Sequence, residues 1–586
     1  MKLTKNIALY LLLLITPLYV WYLHQSQEPM LMYREQQQIF LWDGDYVARL
    51  LKQTGGFATL SAQFLVQFFS APWISSVITT LIITLIGYIL WLILHRFNKS
   101  VIWFPVSMFT AYLQGMYLLE IGYHYDGLLA WLMFAIMLYL YLSLSENTSA
   151  IFKTLIGITL TLLLYVYVGS IASLFAISAF SFDMLHDVRK GWMSSVYILT
   201  CLLAAQLTVP NGSIVGFDYA LWTKGYYEYH VEQGLWQSLS WIVVPLVIIA
   251  AKLTSHIKLK PFIHLTLCII LLFSGGGFIY LQSEKRINKD FRTLTELNRS
   301  VNQEDWEGIV NNKNLNYQNY LHLNYLNLAI SHQGRMMTDL FKYPQKGSQS
   351  LLVSYQAYND INVLFSHIYY HTGVISEALC LSFGTMIATT FGNPSMLKLL
   401  VKERLIYGDY QVAEKYITRL EKTYGYKDWA VEMRKFLFND EAVNNDPELG
   451  EKRKSLPKSQ PRFVVLDGLT ADLIKVIETG TDEQNALEYL MAMLMLDKNM
   501  PGIKSLVEKY ADKFWHTGLP TLVQEAITTY AENDSDYCAT HGVTQDTMNR
   551  FQVFRQRALE ARRNGQNQQA ALAQFRGTFW YYYMFG

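Results

Sequence analysis

Three acidic side chains are the candidates for catalysis in this sequence. Asp43 and Asp45 lie in the loop after the first apolar segment, and Glu120 stands at the end of the third. A carboxylate can serve as a general base, and an ionisable group at membrane depth is costly enough to suggest a function. His124 and Asp126 follow Glu120 within a short turn and could add a metal or phosphate contact. The alternative interpretation is a set of solvated turn acids beside a glutamate that reaches to the interface.

Signatures of metal, cofactor and nucleic-acid binding are absent from the sequence. There is no phosphate-binding loop, dinucleotide fingerprint, GxSxG or kinase signature. His367 and His371 have a spacing that can chelate a metal, but no acid stands between them and no third ligand is evident. The 48 basic and 47 acidic residues nearly balance, so no nucleic-acid partner is indicated. We therefore predict neither a metal nor a cofactor.

The four cysteines do not form a disulfide framework or a CxxC motif. Cys201 and Cys268 lie in apolar segments, whereas Cys380 and Cys538 lie in the polar half of the chain. The latter two could form a bridge. We favour the interpretation that both are small unpaired side chains, because free cysteine often behaves as a core residue.

The charged residues are distributed unevenly along the chain. Overall, 52% of the residues are hydrophobic and 16% are charged, against roughly 25% charged in an ordinary soluble domain. Residues 1–283 contain only 14 Lys and Arg and 12 Asp and Glu. This contrast predicts a membrane domain at 1–284, a helical-repeat lobe at 285–438, a linker at 439–461 and a second helical lobe at 462–586.

Nine apolar segments are candidates to span a bilayer, which requires about 20 residues in a helix. They are Ile7–Leu23, Ile74–Leu94, Val101–Ile121, Gly127–Leu144, Ile151–Val168, Ser170–Leu185, Trp192–Val209, Leu235–Ala251 and Pro261–Leu281. The fifth and sixth run together. A tight turn at Gly169–Ser170 is the prediction, and one long bent helix across 151–185 is the alternative.

The basic residues of the short loops predict the orientation of these segments. Loops that contain Lys2, Arg96, Lys153, Lys190 and Lys252 alternate with loops that contain few or no basic residues. The first set is expected to be cytoplasmic. The N-terminus is then inside, and nine crossings place residues 286–586 outside. The large residues that follow the first segment indicate a retained anchor rather than a cleaved signal peptide.

Two of the outer loops are long and rich in apolar residues. Residues 24–73 contain Glu35–Lys52 and Phe57–Phe69, which predict two helices lying on the membrane surface. The loop Pro210–Gly234 is rich in tyrosine and tryptophan. An interfacial aromatic belt is the favoured interpretation, and a platform that stacks a sugar or a lipid headgroup is the alternative.

The second half of the chain shows helical periodicity and a repeat. The stretches Tyr369–Leu379 and Leu405–Tyr416 align, so that Gly373 and Gly408 are 35 residues apart. This spacing is close to the 34-residue tetratricopeptide period. Gly334 could mark a degenerate third copy. The predicted fold class is all-α, a polytopic helical membrane domain followed by a tetratricopeptide-like soluble domain.

Several short motifs resemble an uncharacterised multi-pass membrane family of Bacteroidota, carried as a domain of unknown function. They are GGF with FLVQFF (55–57 and 64–69), NYLNLA (324–329), YPQKG (343–347), LIYGDYQVAEKY (405–416), TYGYKDWA (423–430) and FWYYY (579–583). The resemblance extends over most of the chain. It implies a bacterial inner membrane and a periplasmic C-terminal half, and it brings no assigned activity.

Two functions are consistent with these patterns. The first is an envelope interaction or assembly factor, anchored in the lipid bilayer, whose helical repeats bind a periplasmic protein partner. The second rests on a similarity of architecture to membrane glycosyltransferases that use lipid-phosphate sugars. In that case Asp43 or Asp45 would be the base, and Arg34, Arg49 or Lys52 would contact the phosphate. The sequence alone does not decide whether the chain is an enzyme.

Overall fold

The chain folds into helices throughout the part that a computed structural model describes. That part comprises residues 2–120, 122–145, 148–228, 235–257, 260–354, 359–389, 392–456, 468–478, 483–531 and 534–586. Within it every regular element is a helix, and the one isolated β-bridge joins Tyr123 to Tyr227. The all-α fold class predicted from the sequence is therefore confirmed.

The chain divides into two compact units. The first contains Met1–Asn288 together with the distant segment Lys422–Lys427, and the second contains Lys289–Glu421 and Asp428–Gly586. The helices of the first unit are α1 (Lys2–Ser26), α2 (Glu28–Tyr33), α3 (Gly44–Leu51), α4 (Gly56–Val66), α5 (Ile74–Phe97), α6 (Trp103–Tyr117), α7 (Tyr125–Ser145), α8 (Ala150–Tyr167), α9 (Ile171–His186), α10 (Val188–Gly191), α11 (Ser195–Thr208), α12 (Phe217–Leu221), α13 (Leu235–Leu253) and α14 (Pro261–Arg286). The domain boundaries given above stay a prediction.

Seven helices of the described chain are long and apolar enough to cross a bilayer. They cover Ile7–Ser26, Ile74–Phe97, Tyr125–Leu144, Ala150–Tyr167, Val188–Thr208, Ser238–His256 and Phe262–Arg286. The other two predicted spans form the shorter helices α6 and α9, with 15 and 16 residues. Large apolar side chains such as Phe262 and Phe273, 78% and 79% exposed, cover the outside of α14. Such a surface is compatible with insertion into a membrane, and the count of nine spans stays a prediction.

The continuous apolar stretch at 151–185 forms two helices rather than one. Helix α8 ends at Tyr167, and α9 begins at Ile171. Gly169 between them has a φ of 101°, a backbone conformation that side chains with a Cβ rarely adopt. The turn predicted at Gly169–Ser170 is thus observed, and the two helices pack against each other.

The loop 24–73 contains three short helices, α2, α3 and α4. The helix predicted over Glu35–Lys52 is shorter than expected, because residues 38–43 are not helical and α3 begins only at Gly44. The α3–α4 connection is tight. A Cβ on Gly56 would lie 1.8 Å from the carbonyl oxygen of Leu50, so this position requires glycine.

The second unit contains helices α15 to α33. They are α15 (Lys289–Asn302), α16 (Trp306–Val310), α17 (Tyr320–His332), α18 (Met336–Asp339), α19 (Asn359–His371), α20 (Ile375–Ala388), α21 (Pro394–Tyr407), α22 (Tyr410–Glu421), α23 (Lys427–Met433, which begins in the first unit), α24 (Asp440–Asn445), α25 (Pro447–Lys454), α26 (Leu469–Glu478), α27 (Gln484–Leu496), α28 (Met500–Phe514), α29 (Thr521–Ala531), α30 (Ser535–Thr540), α31 (Gln545–Arg563), α32 (Gln568–Ala571) and α33 (Phe579–Phe585). Several of them pack against the next helix in the chain, among them α19 with α20, α21 with α22 and α26 with α27.

A common turn joins the helices of these pairs. Gly334, Gly373 and Gly408 end α17, α19 and α21 with φ values of 66°, 79° and 73°. In each turn the residue after the glycine donates its N–H to the carbonyl five positions back, a bond that closes a helix C-terminus. The pairs are Arg335 to Ile330, Val374 to Tyr369 and Asp409 to Arg404. Glu304, Lys498 and Gly542 adopt the same conformation at the ends of α15, α27 and α30.

The segment 439–461 is not extended over its described part. Helices α24 and α25 occupy most of it, and Val443 and Leu449 are buried. The Nζ of Lys452 lies 3.0 Å from Oε1 of Glu483, and both side chains are at least nine-tenths buried. Residues 457–461 lie outside the described part.

The aromatic C-terminus packs on the second unit. Phe579 and Trp580 are buried, and the indole N–H of Trp580 donates to the Glu525 carbonyl at 2.9 Å. This satisfies the one polar atom of the buried indole. Cys380 is exposed and free, and Cys538 is buried and free.

Candidate functional site

Asp43 is the N-cap of helix α3. Its Oδ1 accepts a hydrogen bond from the backbone N–H of Tyr46 at 3.0 Å, which satisfies one of the free donors at the helix start. Its Oδ2 forms an ion pair with Lys422, and the Lys422 carbonyl accepts from the N–H of Trp42 at 2.7 Å. The hydrogen bond from Lys422 holds the pKa of the Asp43 carboxyl below its usual value. Asp43 is therefore a charged anchor for the segment Lys422–Lys427.

The same segment makes further contacts with the loop 24–73. The hydroxyl of Tyr426 donates to Oε1 of Glu35 at 2.8 Å, and the ring of Tyr424 packs edge-on against Phe68 at 5.0 Å. Asp45 lies in the first turn of α3 and is exposed. An acid at that position stabilises the helix through its dipole. Asp43 and Asp45 thus have different surroundings, although they are two residues apart.

Glu120 holds together two chain segments that are far apart in sequence. Its Oε1 lies 2.6 Å from a guanidinium nitrogen of Arg286 at the end of α14, and its Oε2 accepts from the hydroxyl of Tyr227. Glu120 is partly buried. In the described part of the chain it shares no partner with Asp43 or Asp45, so the three predicted acids are not brought together by their contacts.

Arg34 is buried and binds the backbone around Glu120. Its guanidinium donates to the carbonyls of Leu118 and Tyr123 at 2.6 and 2.5 Å, on either side of the turn. Burial lowers the pKa of Arg34 to about 10, which still leaves it charged at neutral pH. Arg34 is a predicted phosphate contact, but both terminal nitrogens of its guanidinium donate to this turn.

In the described part of the aromatic loop, 210–228, hydrogen bonds of Tyr226 attach the loop to the α8–α9 turn. The hydroxyl of Tyr226 donates to the Val168 carbonyl at 2.8 Å and accepts from the N–H of Ile171 at 3.2 Å. It thereby closes the α8–α9 turn. Tyr226 and Tyr227 are buried. Residues 229–234 lie outside the described part, so the choice between a belt and a platform stays open.

Asp126, predicted to accompany Glu120, is buried at the start of α7. Its Oδ2 accepts from the hydroxyl of Thr59 at 3.0 Å, which links α7 to α4. His124 donates its backbone N–H to the Tyr226 carbonyl at 2.9 Å. Polar side chains and backbone groups thus link α4, α7, α8, α9 and α14 at this end of the first unit.

A second polar cluster lies at the opposite ends of the helices and was missed from the sequence. Asp183, in α9, is buried and accepts from the hydroxyls of Tyr141 (2.5 Å) and Ser194. Lys153 completes the cluster with its Nζ 2.5 Å from Oδ1 of Asp183. Asp183 stands inside an apolar segment, a signal that could have found it. The cluster lines a cavity of about 500 Å³.

His367 and His371 do not form a chelating pair. Nε2 of His371 lies 2.8 Å from the hydroxyl of Ser331, and its ring packs on that of His332 at 3.7 Å. Burial lowers the pKa of His367 to about 4 and that of His332 to about 3, so both are neutral at pH 7. Among the residues described, no group of three or more His, Cys, Asp or Glu is arranged to hold a metal.

Comparison with known sequences gives the family. A sequence model described as a family of unknown function, DUF6057, matches residues 3–586. The chain belongs to this family. No curated protein and no solved structure matches the chain. DUF6057 covers both units, which agrees with the expectation of an uncharacterised family over most of the chain. Assignment of this DUF6057 chain to Bacteroidota stays a prediction.

Proposed function

We propose that the chain is a bacterial inner-membrane protein that presents a periplasmic tetratricopeptide-like domain and serves as an envelope interaction or assembly factor. The observation that carries this proposal is the shared backbone turn at Gly334, Gly373 and Gly408. Stacked helix pairs of this kind expose extended surfaces that bind proteins. Large apolar side chains are exposed on the second unit, among them Ile387 and Phe438 at 67% and 63%.

The contacts of the predicted acids also favour a role other than catalysis. Asp43 and Glu120 each form an ion pair with a residue remote in sequence. The Asp43 carboxylate is held by Lys422 and by the N-terminus of α3, and these contacts make it a weak base because they stabilise its charged form. Among the residues that the structure describes, no specific contact favours the glycosyltransferase alternative, which stays a prediction.

The location of the second unit can be tested with a native cysteine. Cys380 is exposed, whereas Cys201, Cys268 and Cys538 are buried. A membrane-impermeant maleimide added to spheroplasts should label Cys380 without permeabilisation. A Cys380→Ser chain that carries Arg189→Cys provides the opposite control and should be labelled only after permeabilisation. Labelling of Cys380 only in permeabilised cells would overturn the periplasmic assignment.

The interaction role is tested by photo-cross-linking in the full-length protein in its native cells. A photoreactive phenylalanine analogue at Ile387, Phe438 or exposed Val553 should give a discrete adduct from at least one position. The same analogue at exposed Lys313 is the control. Identical faint smears at all four positions would contradict a defined partner.

The enzyme alternative has its own test in the same strain. Asp43→Asn, Asp45→Asn and Glu120→Gln are each introduced into a deletion strain, and the protein level is checked. Under the proposal, variants that accumulate normally should restore the wild-type surface-glycan profile. Loss of that profile in a variant that accumulates normally would favour catalysis instead.

A further inference from the structure

We propose that the cavity beside Asp183 binds the phosphate-bearing headgroup of an anionic lipid. The cavity, about 500 Å³, lies among the ends of six helices of the first unit, α5, α7, α8, α9, α10 and α13. That volume is within the range of small-ligand sites, roughly 300–1,000 Å³. The binding is independent of the interaction role proposed for the second unit. Asp183 and its partners Lys153 and Ser194 are among the lining residues.

The charge of the described lining favours an anion. Four basic side chains line the cavity, from Arg96, Lys153, Lys190 and Lys252, and only two acidic ones, from Asp183 and Asp187. Lys153 is paired with Asp183 at 2.5 Å. Asp187 caps α10 through the N–H of Arg189 at 3.0 Å. The other basic groups give the described lining a positive excess that suits a phosphate monoester or diester.

The start of helix α8 adds to this positive potential. Thr148, Ser149 and Ala150 line the cavity, and Ser149 is the N-cap of this 18-residue helix. The backbone N–H groups of a helix start and its dipole attract phosphate. The helix start thus adds to the positive potential of the lysine and arginine side chains, which is the larger contribution.

The surroundings of the cavity point to a lipid rather than a soluble phosphate. The lining residues have large apolar neighbours along the chain that are exposed, as on a lipid-facing surface. Ile151 is 69% exposed, Val188 67% and Trp192 64%. Acyl chains would contact such surfaces while the phosphate lies among the basic groups. Polar lining next to an exposed apolar surface is the arrangement that a lipid headgroup site requires.

The general preference for basic residues in cytoplasmic loops does not account for this cavity. That preference determines only the side of the membrane on which basic residues lie, and not where they lie on that side. Arg189, Lys99 and Lys260 satisfy it and are exposed, but they do not line the cavity. Arg96, Lys190 and Lys252 lie at the ends of three different helices, α5, α10 and α13, and line one cavity. These two sets of three charges allow a matched experiment.

The test is native mass spectrometry of the full-length protein in detergent, titrated with dioleoyl phosphatidate. Dioleoyl phosphatidylcholine is the lipid without net charge, and glycerol 3-phosphate is the headgroup without acyl chains. Wild type should bind one phosphatidate tightly. The triple variant R96Q/K190Q/K252Q should bind on the order of 100-fold more weakly, at roughly fivefold for each charge. The control R189Q/K99Q/K260Q should bind like wild type.

Each other outcome overturns the proposal. Equal weakening in both triple variants would mean general attraction to the surface. Binding of glycerol 3-phosphate as tightly as phosphatidate would assign a soluble phosphate to the site, and equal binding of phosphatidylcholine would remove the role of charge. If R96Q/K190Q/K252Q does not fold, K190Q against R189Q decides, because these neighbours are both exposed and only Lys190 lines the cavity.

Discussion

The buried pair of Lys452 and Glu483 gives the sharpest prediction about stability. Lys452 belongs to α25, and Glu483 directly precedes α27. Their side chains are 9% and 5% exposed, and Nζ of Lys452 also donates to the His371 carbonyl at 2.5 Å. Lys452→Met keeps the apolar stem of the side chain. It leaves both the Glu483 carboxylate and the His371 carbonyl without this donor.

The expected cost follows from this loss of partners. Removal of one member of a buried ion pair costs about 3–5 kcal/mol, because the other charge stays buried without compensation. The carbonyl left without its donor contributes to that figure. The double variant Lys452→Met/Glu483→Met removes both charges and should recover most of the loss. The exposed pair Lys435–Glu432, with side chains 55% and 63% exposed, provides the control, because Lys435→Met should cost about 0–1 kcal/mol.

Urea pulse proteolysis of the full-length protein in detergent measures these differences through the protected fragments of the second unit. The order of stability should be wild type, Lys435→Met, the double variant and last Lys452→Met. The prediction fails if the free energy of unfolding of Lys452→Met lies within about 1 kcal/mol of the wild-type value. It also fails if the double variant is less stable than Lys452→Met. In either case Lys452 and Glu483 would not act as a buried charge pair.

Three other predictions concern single positions. Burial raises the pKa of Glu403 to about 8, so the stabilising contribution of the Glu403 side chain is full below pH 4.5 and is lost as the pH rises towards 8. Glu403→Gln should therefore stabilise the protein at pH 7.5, by at most about 4 kcal/mol, and have little effect at pH 4.5. Urea denaturation at both pH values measures the difference. Gly373→Ala should destabilise the protein more than Gly334→Ala. Both variants place an alanine in the left-handed conformation, which costs about 1–2 kcal/mol, but only at position 373 would the new Cβ meet a side chain, that of Glu483 at 3.0 Å. Equal melting temperatures would contradict this prediction. The melting temperature of Asp43→Asn should lie below that of wild type and above that of Asp43→Ala, because asparagine keeps the helix cap and loses only the ion pair. The difference in melting temperature between wild type and Asp43→Asn should disappear in 1 M salt. A difference that salt leaves unchanged would contradict the ion pair.

The sequence was sufficient for the elements whose signal is local. Apolar length predicted the helices of the first unit, and Gly169 indicated the break between α8 and α9 because only glycine readily adopts its φ. The glycines at 373 and 408 indicated the ends of α19 and α21 for the same reason, and the repeat itself stays a prediction. The equivalent turns at Glu304 and Lys498 were not found, because they adopt the left-handed conformation with residues that carry no such signal.

The candidate site depended on contacts that no local pattern contains. Asp43 pairs with a lysine 379 residues away, and Glu120 with an arginine 166 residues away. Both acids could be recognised as unusual, but their partners could not be read from spacing. The cavity beside Asp183 could not be predicted from the sequence for the same reason. Its basic residues indicate the orientation of the chain, but only the fold brings the ends of α5, α10 and α13 to one place.

The turns that close the helix pairs of the second unit also bear on how that unit is made. Each pair, such as α19 with α20 or α21 with α22, closes over fewer than 35 residues of chain. Contacts between residues near in sequence form quickly, because little loop entropy is lost when they meet. A pair can therefore form as soon as its two helices have been synthesised. The unit can then assemble in order along the chain, without waiting for the aromatic C-terminus that packs on it last.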